Sequence, residues 1–65
     1  MACTAIITKD GIDQIIEHVP GYMTILAREL RDLRAMDIGK VTYREFFDES
    51  EAYQWEETQR AKGRF

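Results

Sequence analysis

The chain has one cysteine, one proline and one histidine in 65 residues, and each scarcity removes a class of chemistry. Cys3 alone cannot close an internal disulfide, so a reducing setting is the default and the cytoplasm is the expected compartment. One cysteine and one histidine, His18, cannot assemble a structural zinc site within one chain, and no metal or cofactor is expected. A nucleophile needs a base beside it and a third group that orients the base. Cys3 and His18 lie on separate segments. Ser50, the sole serine, sits in an acidic run that opposes a developing oxyanion. The chain reads as non-enzymatic. His18, beside Val19-Pro20, reads as a helix C-terminal residue, where an imidazolium suits the dipole.

Long apolar runs and a basic excess are missing too. The apolar, uncharged stretch Met1 to Thr8 falls far short of the roughly 20 apolar residues that a membrane span requires. It also lacks the basic start and longer apolar run of a signal peptide. Nine Lys and Arg against twelve Asp and Glu give a net charge of −3, which argues against a general nucleic-acid or anionic-membrane binder. The glycines at 11, 21, 39 and 63 are scattered as punctuation, so no phosphate cradle is present. Gly39, Val41 and Glu45 fall at the sixth, eighth and twelfth positions of an EF-hand loop. The first, third and fifth would then be Arg34, Met36 and Ile38, and none of these offers a carboxylate. Calcium is not expected.

What is present is 45% hydrophobic and 32% charged residues, the composition of a soluble globular chain rather than a disordered tail. At this length it forms a single small domain over 1–65 and buries only about 60% of the surface its unfolded form exposes. Residues 1–8 read as a short strand or ordered arm, and Thr8-Lys9-Asp10-Gly11 supplies turn chemistry. Ile12, Ile15, Ile16 and Val19 fall at i, i+3, i+4 and i+7, which predicts a helix over 11–19 that Pro20 ends. A second helix is expected over 22–36, with Met23, Leu26, Leu30 and Leu33 as its core-facing seam. Thr42-Tyr43-Arg44-Glu45 matches a capping box and opens a third helix over 43–62, unbroken or kinked near 48–50. Tyr43, Phe46 and Phe47 would give that helix its apolar face. The expected fold is all-α, a bundle of three or four short helices with an N-terminal extended arm. The alternative is an α+β arrangement, β–α–α–β–α, in which Ala5-Ile6-Ile7 pairs with Lys40-Val41-Thr42.

Five of the seven aromatic residues, Tyr43, Phe46, Phe47, Tyr53 and Trp55, lie within thirteen positions, interleaved with carboxylates. Tyr53 and Trp55 stand about 200° apart on a helix, so one stripe cannot bury both. Tyr and Trp are also enriched at binding hot spots. The leading reading is therefore a small non-enzymatic protein that occupies a partner's surface. Tyr53 and Trp55 would anchor it, and Glu49, Glu51, Glu56 and Glu57 would engage a basic partner. Its shortness, acidity and catalytic emptiness suit an inhibitor or accessory factor of the kind phages and mobile elements use. Self-association is a further expectation, because a core this small supplies only about 3–5 kcal/mol and the apolar arm or aromatic helix could cross to a second copy. Two alternatives remain: an assembly factor of a larger complex, and a small helical DNA-binding regulator using Arg28, Arg31, Arg34 and Arg44. Residues 22–40 carry four bases and three acids, so that arginine face is diluted.

Overall fold

The computed structural model describes residues 1–20 and 24–65, with the backbone alone for Thr24. Among the described residues five elements follow in order: β1 (Ala2–Thr8), β2 (Gly11–His18), α1 (Thr24–Ile38), β3 (Thr42–Phe46) and α2 (Glu49–Ala61). The strands form one antiparallel sheet in the order β2-β1-β3. The fold is α+β, and the expected all-α bundle is overturned. The β–α–α–β–α alternative fails as well, because its first helix is β2. The structure does pair β1 with the segment after Gly39, placing Ile7 opposite Thr42.

Two segments read as helix are strands, each for a physical reason. In residues 11–19 the three isoleucines are β-branched and favour a pleated surface. Their i, i+3 spacing arises from a bulge. Gln14 opposes Ile6 and Ile12 opposes Ile7, so Asp13 is the extra residue and the phase shifts by one. Ile12 and Ile15 then reach the same face although three positions separate them. Gly11 enables the hairpin by holding φ at 118°, a value that other residues rarely adopt. In residues 42–46 the false signal was Thr42-x-x-Glu45. The working cap is Asp48, whose carboxylate accepts from the Glu51 N–H at 2.8 Å and starts α2. Upstream, Thr42–Phe46 alternates as a strand, and Gly39 at φ 93° closes α1 through a 3.0 Å bond to the Ala35 carbonyl. The expected start of the second helix at Tyr22 and its seam residue Met23 lie outside the described residues.

β1 is the centre of the molecule and is buried on both faces. Cys3, Ala5 and Ile7 pack with Phe46 and with Ala52 of α2, flanked by Ile12, Ile15, Trp55 and Phe65. The register puts Thr4, Ile6, Ile16, His18 and Tyr43 on the other side. That side is the one α1 covers: the Arg31 guanidinium lies 4.9 Å from the Tyr43 ring centroid, and Arg34 reaches Asp13 at 3.2 Å. The helices therefore sit on opposite faces of the sheet. Small residues in β1 (Ala2, Cys3, Thr4 and Ala5) allow this close approach from both sides. Among the described residues, the largest fully buried side chains are Ile6 and Cys3, so the core is thin.

Candidate functional site

The residues singled out from the sequence separate onto different surfaces. Tyr53 and Trp55 take opposite faces of α2. Trp55 turns inward, with its ring 5.7 Å from Phe46 and 5.8 Å from Phe65 and the Arg44 guanidinium 5.4 Å from its centroid. Its indole fills the core on that side of the sheet. Glu56 also turns inward: its carboxylate accepts the Ile12 N–H and approaches the Arg60 guanidinium at 3.8 Å. That bond ties α2 to the β2 bulge, and Arg60 adds a second tie to the Asp10 carbonyl at 2.9 Å. A side chain at Gly11 would intrude here, since its Cβ would stand 2.6 Å from the Glu56 carboxylate.

The outer face of α2 carries the rest. Glu49, Tyr53 and Glu57 fall at i, i+4 and i+8, one stripe of the helix. The Tyr53 hydroxyl donates to Glu49 at 3.4 Å, and the Glu49 carboxylate pushes the Tyr53 phenol above its ordinary value. Glu51 is exposed too, about 200° round the helix from both Glu49 and Tyr53. Phe47, assigned to the core on the helical reading, is 80% exposed, just before the Asp48 cap. Strand alternation explains it. Phe46 points to the core, so Phe47, the next residue, cannot follow it there. Reading 42–46 with period two would have found Phe47 as an outward aromatic. The exposed residues at and after the start of α2 thus include Phe47 and Tyr53 together with Asp48, Glu49, Glu51 and Glu57.

The arginine set does not form one face. Arg28 is exposed on α1, Arg31 is half-buried over Tyr43 and paired with Asp32 at 3.2 Å, and Arg34 is held between Asp13 and Asp37. Arg44 lies on the opposite side of the sheet, against Phe46 and Trp55.

No protein-family model, curated protein or solved structure matches this chain.

The groups of catalytic type are also kept apart. His18 is buried on the α1 side. Its Nδ1 lies 2.7 Å from the Val19 carbonyl, which can only accept, so Nδ1–H donates there, and Nε2 lies 2.6 Å from the Thr4 hydroxyl. The helix-capping role expected for His18 gives way to this buried strand pair. Cys3 faces α2, across the sheet from His18, and is buried. Burial raises its thiol, and the carboxylates of Glu49, Asp48, Glu17 and Glu51 add to the rise. Among the described residues no three His, Cys, Asp or Glu side chains gather as a metal site requires, and no helix is long and apolar enough to cross a membrane.

The Cys3 environment has a measurable consequence. A folded value above the thiol's ordinary 9.0 means that stability is fully present below that pH and falls as pH rises through it. Denaturation between pH 8 and 10.5 should show this loss, and Cys3→Ala should flatten it relative to wild type. Thiol reagents at neutral pH should label native Cys3 only through unfolding. Labelling as fast as that of a free thiol would place Cys3 at the surface.

Proposed function

We propose that this chain is a small non-enzymatic protein that binds another protein and acts by occupying the partner's surface, with the outer end of α2 as the contact. The observation that carries this reading is the pair of exposed aromatics, Phe47 and Tyr53, set among Asp48, Glu49, Glu51 and Glu57. Exposed aromatic side chains ringed by charge are the form of an interface anchor with a steering rim, and the sign of the rim selects a basic partner. Trp55 and Glu56 support this surface from beneath by fixing α2 to the sheet. The separation of Cys3 from His18 by the sheet favours binding over catalysis. A reducing, cytoplasmic setting suits a lone cysteine that is buried and unpaired.

The experiment is affinity capture from cells of the source organism with wild type and a Phe47→Ala/Tyr53→Ala variant, at low and high salt, with and without nuclease. Wild type should retain one protein after nuclease treatment, less of it at high salt, and the variant should lose it at least tenfold while keeping its far-UV circular dichroism. Equal retention by a folded variant would remove the α2 surface from the reading. Retention that vanishes with nuclease would replace protein by nucleic acid as the partner.

A further inference from the structure

The leucine seam of α1 does not face the core. Ala27, Arg31 and Arg34 take the sheet-facing side, and the apolar residues are left in an arc turned sideways and outward. Met36 is 85% exposed, Ile25 74% and Leu33 64%, with Leu26 at 39%. Two acids interrupt this arc on the helix projection, Glu29 and, between Leu26 and Leu30, Asp37. A monomer of this size does not ordinarily leave so much of one helix apolar and uncovered.

A groove lies beside that ridge. α1 packs over β1 and β3, held there by Arg31 on Tyr43, and reaches the bulge of β2 through Arg34 on Asp13. An open groove, about 490 Å³, is bounded by Ile6 and Gln14 on the sheet and by Leu30 and Leu33 on the helix. Ridge and groove thus lie on one surface and share Leu33.

The geometry points to a second copy of this chain as the occupant. A two-fold axis running along α1 sets the two helices side by side in one layer between two sheets. Each ridge then lies over β2 of the other copy, and one patch serves both sides of an isologous contact. Leu26, Leu30 and Leu33, spaced four and three apart, meet their counterparts at the axis as in a helix pair. Charge opposes it only weakly. Arg34 is paired with Asp13 and with Asp37 at the rim, and with Glu29 these groups leave a small acidic excess that salt screens. Area permits it. Covering Ile25, Leu26, Leu33 and Met36 removes about 500 Å² per copy and about 1,000 Å² in all, the lower limit for a specific interface. A chain with so thin a core gains most from this contact. Because α2 lies across the sheet from α1, the dimer presents two outward acidic faces and can bind a repeated partner with avidity.

The test is sedimentation velocity of the full chain across a concentration series extending into the millimolar range. Wild type should move from 7.6 kDa to twice that mass. Leu33→Lys and, separately, Met36→Lys should weaken dimerisation more than tenfold with unchanged circular dichroism, since neither side chain enters the monomer's core. Phe47→Ala/Tyr53→Ala should dimerise as wild type does, which separates this contact from the α2 surface. A wild-type chain that stays monomeric throughout overturns the proposal, whether or not the α1 variants lose a different protein or a lipid surface. A dimer that survives both lysine substitutions overturns it as well.

Discussion

Ile6→Ala should leave the chain largely unfolded at 25 °C. Ile6 is 1% exposed at the centre of β1, on the face that α1 covers. Truncating a buried isoleucine to alanine costs about 2–5 kcal/mol, through lost transfer energy and the cavity left behind. A domain of this length holds only about 3–5 kcal/mol in its core, so that single loss consumes most of it. Ile6→Val should cost about 0.5–1.5 kcal/mol and remain folded. Urea denaturation followed by circular dichroism reads both variants, and protein concentration must be held fixed because association would contribute to apparent stability. An Ile6→Ala variant as stable as wild type would mean that β1 is not the buried strand.

The second large effect is a contrast between neighbours. Phe46→Ala should destabilise by about 3–5 kcal/mol, because Phe46 is buried against Cys3, Ala5 and Trp55. Phe47→Ala should change stability by no more than about 0.5 kcal/mol, as expected for an exposed side chain away from any special geometry. The two residues are chemically identical and adjacent, so only the period of the backbone separates them. A helix over 43–62 would place Tyr43, Phe46 and Phe47 on one face and make both substitutions costly. Equal losses in urea denaturation would restore that helix, whereas the strand predicts a difference of several-fold.

The same contrast shows what could be read from the residues and what could not. The turn at Thr8–Gly11 and the stop at Gly39 were legible, because turn residues act locally. The expected kink near 48–50 falls at the Asp48 cap, where α2 in fact begins. Ile12, Ile15 and Ile16 were misread because a bulge and a helix produce the same spacing, and the bulge depends on β1 as a partner. β1 is local in sequence to β2 but is also completed by β3, more than thirty residues away, and no local pattern contains that pairing. The capping box at Thr42 failed because a four-residue motif cannot compete with a sheet edge that accepts the whole segment.

At the site, the 200° between Tyr53 and Trp55 was geometry and could be computed from the sequence. Which of the two turned inward depended on Phe46 and Phe65 being there to receive the indole. The leucine seam was legible as a stripe but not in its direction. Arg31 over Tyr43 and Arg34 on Asp13 rotate α1 so that the stripe misses the sheet. Both partners lie outside the helix, so the rotation was invisible within it. Phe47 was hidden by the same error of period that hid β3.

Every surface argued above follows from one placement, β1 between β2 and β3 with the helices on opposite faces. Cross-strand nuclear Overhauser contacts in isotope-labelled protein test it most directly. The account predicts that Ala5 contacts both Ile15 and Arg44, its partners on either side, with Cys3 likewise between Glu17 and Phe46. Sequential amide–amide contacts running unbroken through 11–19 and 43–47, with Ala5 touching neither neighbour, would return the chain to a helical bundle and contradict the account.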